Sequence, residues 1–306
     1  MDGVLVIDKP VGPTSHDVVA EIRTILRERK VGHTGTLDPA ATGVLPLVIG
    51  RATKLARYLT GRDKAYRATI RLGVKTDTLD ATGQTLAESA VLCSEADVRA
   101  AVTSFVGDVE QIPPMYSAKK MDGKKLYELA RQGISVERTP KIVTLHNIEV
   151  VSVALPDVVI DVRCTAGTYV RVLAQDLGDA LGCGGHLLQL RRTLAGPFDL
   201  SRALTLDAVR EQPDAARAAV LSLTEALVGL PQISVPSDIA RLIRSGHQLT
   251  VADLRTLDVP RFDHDDVLTI AHDSGAVVAV VSATLASAEL DCSRRDQKAF
   301  KTERVL

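Results

Sequence analysis

The stretch VGHTGTLDPAATGVL (31–45) centres one carboxylate, Asp38, between glycines at 35 and 43, with a proline directly after it. Pro39 steers Asp38 out of the helical region, and the glycines permit the tight backbone that presents its side chain to a cleft. A carboxylate held that way can act as nucleophile or general base. The plainer reading of Asp-Pro is turn initiation. The loop is no P-loop, because neither glycine leads into Lys-Ser or Lys-Thr. No GxGxxG follows a strand and opens a helix, and GxSxG and HExxH are missing. The run GCGGH (182–186) reads as a turn, and DHDD (263–266) as a solvated turn rather than a metal site.

The elements that must position this carboxylate can be read from periodicity. GVLVID (3–8) is a strand, and Ser15 is placed to cap a helix whose Val18, Val19, Ile22, Ile25 and Leu26 share one face. VLPLVIG (44–50) is apolar enough for a buried strand, and ATKLARYLT (52–60) has helical spacing. In KAYRATIRLG, Tyr66, Ala68, Ile70 and Leu72 alternate with Arg67, Thr69 and Arg71, which predicts a half-buried strand with a basic outer face. Ser94 and Asp97 form a capping box before a helix through Phe105. Strands at 141–153 and 157–164 precede a helix over about 170–181, and VLTIAHDSGAVVAVVSATL folds as a hairpin turning at Asp273, Ser274 and Gly275. Adjacent alternating strands with interleaved helices imply an α+β fold. The prolines of LPQISVPSD mark a boundary near 230, dividing a domain of 1–230 from a small β-rich domain of 231–306.

Composition narrows the function classes. The 306 residues are 45% hydrophobic and 25% charged, ordinary for a soluble globular protein, and no apolar run approaches the ~20 residues needed to cross a bilayer. The N-terminus lacks the pattern of a secretory signal, so a cytoplasmic protein is expected. Four scattered cysteines argue against a disulfide framework or zinc knuckle. The net charge of −1 hides a gradient: residues 1–75 carry 13 basic against 7 acidic side chains, and residues 119–141 carry 7 against 3. Clustered positive charge attracts a polyanion by counterion release, although from charge alone a solvated loop is the plainer reading.

Four motifs in order, GHTGTLDPAATGVLPL, KAYRATIRLGVKTDTLDATG (64–83), PPMYSAKKMDGKKLYELAR (113–131) and CTAGTYVRVLAQDLG (164–178), with the opening DKPVGPTSHDVV, make residues 3 to about 195 resemble the TruB family of tRNA pseudouridine synthases. The resemblance implies a central mixed, mostly antiparallel sheet flanked by helices, an inserted mobile element at about 113–141 and a PUA-like C-terminal domain. It implies isomerisation of uridine 55 in the T loop of tRNA, with tRNA as partner, no cofactor or metal and no obligate protein partner. By the same resemblance Asp38, Tyr66 and Arg171 are catalytic, with Arg171 keeping Asp38 ionised and Tyr66 against the uracil ring. His33, Tyr169, Leu190 and Lys9 are substrate-binding, and Lys119, Lys120, Lys124, Lys125 and Arg131 contact phosphates. Whether Asp38 attacks C1′ or C6 or removes a ribose proton stays open, and His33 either packs against the rearranged RNA loop or holds its own. Thr76, Asp77, Thr78 and Asp80 read first as turn chemistry and second as substrate contacts. A glycoside or nucleoside hydrolase would want a second carboxylate opposite Asp38, and no such pair is visible near these motifs; a third reading is a binding or RNA-chaperone protein whose pocket is a relic.

Overall fold

A strand that is apolar at every position needs cover on both faces, and GVLVIDK has it. In the computed structural model, which describes residues 1–117, 120–121, 123–134 and 136–306, this segment is β1 (Gly3–Lys9). The strands that follow are β2 (Val31–His33), β3 (Thr42–Ile49), β4 (Lys64–Leu72), β5 (Val74–Thr76), β6 (Thr85–Glu88), β7 (Gly107–Gln111), β8 (Lys120–Met121) and β9 (Lys124–Lys125). After them come β10 (Lys141–Ala154), β11 (Asp157–Cys164), β12 (Gly185–Ala195), β13 (Phe198–Asp199) and β14 (Leu204–Thr205). The last four are β15 (Gln232–Val235), β16 (Val267–His272), β17 (Val277–Ala283) and β18 (Phe300–Val305). The helices used below are α1 (Ser15–Leu26), α2 (Ala56–Thr60), α3 (Glu95–Thr103), α4 (Leu126–Arg131) and α5 (Val170–Ala180).

The main sheet runs β14-β1-β3-β12-β4-β11-β10-β7, with β2 beside β3 and β13 beside β12. Among the described residues only the β1–β14 and β3–β12 pairs in it are parallel, so it is the mixed, mostly antiparallel sheet expected. Leu5 and Ile7 face a core that α1, α3 and α5 close through Val18, Ile22, Val98, Val102, Leu173 and Leu177. Val4 and Val6 face the opposite side, where Leu55, Leu59 and Phe198 meet Val277 and Val280 of β17. The strands β15-β16-β17-β18 form a second sheet with its own core around Ile233, Ile243, Leu268, Ile270 and Phe300. Arg57 pairs with Glu303 at 2.5 Å across the junction of the two sheets. Among the described residues no helix is long and apolar enough to cross a membrane.

Three details differ from the sequence reading. The cap of α1 is Thr14, in a full capping box with Asp17, which frees the Ser15 hydroxyl for another task. The segment 52–60 is split, with a 3-10 turn over Gly50–Leu55 running into α2. The outer face of β4 is not a basic stripe: Arg67 and Arg71 each bind an aspartate of β11 directly opposite in register, Asp161 at 2.6 Å and Asp157 at 2.8 Å.

Candidate active site

The loop between β2 and β3 is held from three sides by side chains that bond its backbone. The Ser15 hydroxyl donates to the Leu37 carbonyl (3.1 Å) and accepts from the Leu37 amide (2.8 Å). Lys9, fully buried, donates to the carbonyls of Ala41 (2.7 Å), Pro10 (2.9 Å) and Pro39 (3.3 Å). Arg192, equally buried, donates to Val44 (2.7 Å), Gly35 (3.0 Å) and Thr36 (3.4 Å). Gly43 has φ +99°, and a Cβ there would lie 2.1 Å from the Arg192 carbonyl oxygen, so both its backbone angle and the approach of β12 require glycine. Asp38 is thus carried on backbone that its neighbours over-determine.

Arg171 lies in the first turn of α5, a position where helices prefer acidic residues. Two carboxylates compensate: Nη2 binds Asp38 Oδ2 at 2.8 Å and Nη1 binds Asp80 Oδ2 at 3.2 Å. The other oxygen of Asp80 accepts from the Thr78 hydroxyl (2.8 Å), the Thr82 hydroxyl (2.6 Å) and the Thr82 amide (3.0 Å). Asp80 therefore points the guanidinium from behind, while the Asp38 side chain keeps 49% of its surface open. Tyr169, just before α5, is clamped by the Gln111 amide, which accepts from its N–H (2.9 Å) and donates to its C=O (3.3 Å). Tyr66 stands opposite Arg192 on neighbouring strands, and burial pushes its phenol up while Arg192 pulls it down. Burial pushes the ammonium groups of Lys9 and Lys64 down to about 8; Lys64 donates to the carbonyls of Thr60 (2.8 Å) and Arg62 (2.7 Å).

A cleft of about 500 Å³, of the size that small-molecule sites occupy, gathers five of the expected residues, Asp38, Tyr66, Tyr169, Arg171 and Leu190. His33 lies beside it, outside the lining, edge-on to His16 at 5.3 Å, its Nδ1 accepting from the Gly35 amide at 3.4 Å. Burial holds the His33 imidazole below its ordinary value, favouring the neutral ring. Lys9 differs from its expected substrate contact: with no exposed surface and three carbonyl partners, it supports the loop from beneath. Lys119 lies outside the described residues, as do the side chains of Lys120, Lys124, Lys125 and Arg131. Among the described residues no group of His, Cys, Asp and Glu could hold a metal ion. The sequence reading missed Ser15, Gln111 and Arg192 as supports and ranked Asp80 as turn chemistry. Only Asp80 carried a signal, from its place in TDTLDATG.

Comparison with known proteins shows the family. The family model described as TruB family pseudouridylate synthase (N terminal domain) matches residues 23–170, and that of the tRNA pseudouridylate synthase B C-terminal domain matches 171–228. The tRNA pseudouridine synthase B of Burkholderia mallei is 46% identical over 288 residues, covering 91% of this chain and 95% of its own. That of Aromatoleum aromaticum is 50% identical over 250 residues, covering 81% of each. Among solved structures, a chain of a Cbf5-Nop10-Gar1 complex superposes with a TM-score of 0.80 at 28% identity, covering 99% of this chain and 84% of that one. A chain of an H/ACA RNP bound to a substrate RNA containing 2′-deoxyuridine has a TM-score of 0.77 at 26% identity, covering 99% and 84%. With a half-exposed aspartate on an arginine, a buried tyrosine lining the same cleft and relatives matched over nine-tenths of its length, the chain belongs to the TruB family of pseudouridylate synthases.

Proposed function

We propose that this protein isomerises uridine 55 in the T loop of tRNA to pseudouridine in the cytoplasm, taking the T stem-loop as its recognition element. The observation that carries the reading is the 2.8 Å Asp38–Arg171 ion pair at the wall of a cleft whose other residues include Tyr66, Tyr169 and Leu190. A stacked base must be extruded before its glycosidic bond can be reached. Leu190 and the Tyr66 ring then supply the apolar walls for the uracil, and Tyr169 borders the ribose. Asp38, paired with Arg171, attacks the nucleotide or removes a ribose proton, the base detaches, turns and rejoins through carbon, and a proton leaves C5. The neutral His33 ring packs against the RNA loop emptied of its base, and the basic side chains of segment 119–141 contact the stem phosphates. Residues 231–306 act as a PUA-like domain on the far end of the RNA.

The test is to incubate the protein with a T stem-loop transcript, digest to nucleosides and separate them. Pseudouridine at the expected position supports the proposal. Free uracil would identify a hydrolase instead, and bound but unaltered RNA a binding protein.

A further inference from the structure

Ser117 is 4% exposed, lies in the cleft wall, and its hydroxyl has no hydrogen-bond partner among the described residues. Buried polar atoms are nearly always paired, so one left open at a binding cleft marks a place for a ligand atom. A second group points to what that ligand is. Lys141 opens β10, is exposed, and makes no ion pair among the described residues. Its ammonium lies over the loop of the cleft wall, because a Cβ built on Gly167 (φ +92°) would come within 2.8 Å of Lys141 Nζ. Glycine there leaves the room that the ammonium occupies.

The two residues sit on one framework. Lys141 is the register partner of Gln111, whose amide clamps Tyr169, and the chain runs from Gln111 through Pro113 to Ser117. Arg138 donates to the Pro113 carbonyl at 3.1 Å, tying the segment that enters β10 to the one that leaves β7. A neutral hydroxyl and a cation without an ion-pair partner among the described residues, lining one cleft, suit an anionic oxygen; a uracil carbonyl would call for the first and not the second. We infer that Ser117 and Lys141 form a subsite for a backbone phosphate next to the extruded uridine, placing the nucleotide against Asp38. This inference rests on the proposed function and adds a substrate contact to it.

The test uses the full chain and two stem-loop RNAs, each with one of the phosphates flanking the target replaced by an uncharged methylphosphonate. Wild-type protein is expected to bind one of them about tenfold more weakly than unmodified RNA. Ser117→Ala and Lys141→Ala should each lose about tenfold on unmodified RNA and nothing more on that modified one, with the single-turnover rate at saturation changing much less. Lys141→Ala should also reduce the slope of log affinity against log salt by about 0.7, as loss of one phosphate contact does, and Ser117→Thr should retain most of the affinity. Thermal melts like wild type confirm that the variants fold. Losses that add, indifference of the wild type to both replacements, or a Ser117→Ala loss unchanged on both would overturn the subsite. If that happens while the wild type forms pseudouridine, only the subsite falls; if the wild type forms none, the proposed function falls and the subsite with it.

Discussion

A half-exposed carboxylate that shares one guanidinium with a second carboxylate is aimed without being hidden. Arg171 cannot swing to follow Asp38, because Asp80 occupies its other nitrogen and three donors hold Asp80 in turn. Asp38→Asn keeps the shape and removes the charge, and single-turnover pseudouridine formation should fall by about 10⁴-fold with RNA affinity nearly unchanged. Substantial turnover by that variant would contradict the role of Asp38. Asp80→Ala leaves Asp38 intact but lets the guanidinium tilt. We expect kcat to drop by about 10- to 100-fold with KM within a factor of a few, the signature of lost alignment rather than lost binding. A rise in KM alone would instead make Asp80 a substrate contact.

At the scale of elements, the loop that carries Asp38 is a suspended span, and its supports belong to α1, β1 and β12. Ser15→Ala removes both bonds to Leu37; about 1–2 kcal/mol of stability should go in a urea titration, and kcat should fall by more than that loss of folded protein explains. The charges beneath the loop also set a pH dependence. Lys9 and Lys64 have folded values of about 8 against 10.5 for an ordinary lysine, so between those limits the unfolded chain binds more protons than the folded one. Stability from these two sites therefore rises as pH goes from about 8 to 10.5 and is lost as pH falls through about 8. Urea midpoints measured across this window should climb, and Lys9→Met, though less stable overall, should climb less steeply. Equal slopes would mean that Lys9 holds its proton in the fold as firmly as in the unfolded chain.

On the scale of the whole molecule, the C-terminal sheet is part of what covers the catalytic sheet. Val277 and Val280 of β17 complete the cluster around Val4, Val6, Val44 and Val48. A chain ended at residue 230 should expose that face, melt at a lower temperature than the full chain and aggregate at concentrations where the full chain stays monodisperse. Unchanged melting and solubility would show that the contact contributes little. The boundary expected near 230 and the docking of the two sheets rest on different kinds of signal. Prolines and a change of texture are local signals, whereas β1 meeting β17 joins residues more than two hundred and fifty positions apart.

Local chemistry was legible in the sequence wherever it was complete within a few residues. The alternation of β4, the Ser94 capping box, the hairpin at Gly275 and the glycine-framed Asp38 loop follow from pattern, because backbone preference and side-chain period act over one element. The family motifs marked Tyr66, Tyr169, Arg171 and Leu190, and the fold brings all four to one cleft with Asp38. What only the tertiary structure decided was which side chains stand behind them. Ser15 looks like a cap until Thr14 takes that part, Lys9 reads as a substrate contact until three carbonyls enclose it, and the arginines of β4 look free until β11 sets an aspartate opposite each. Such roles depend on burial and on partners distant in the chain, and neither residue type nor spacing encodes them until the sheet has formed.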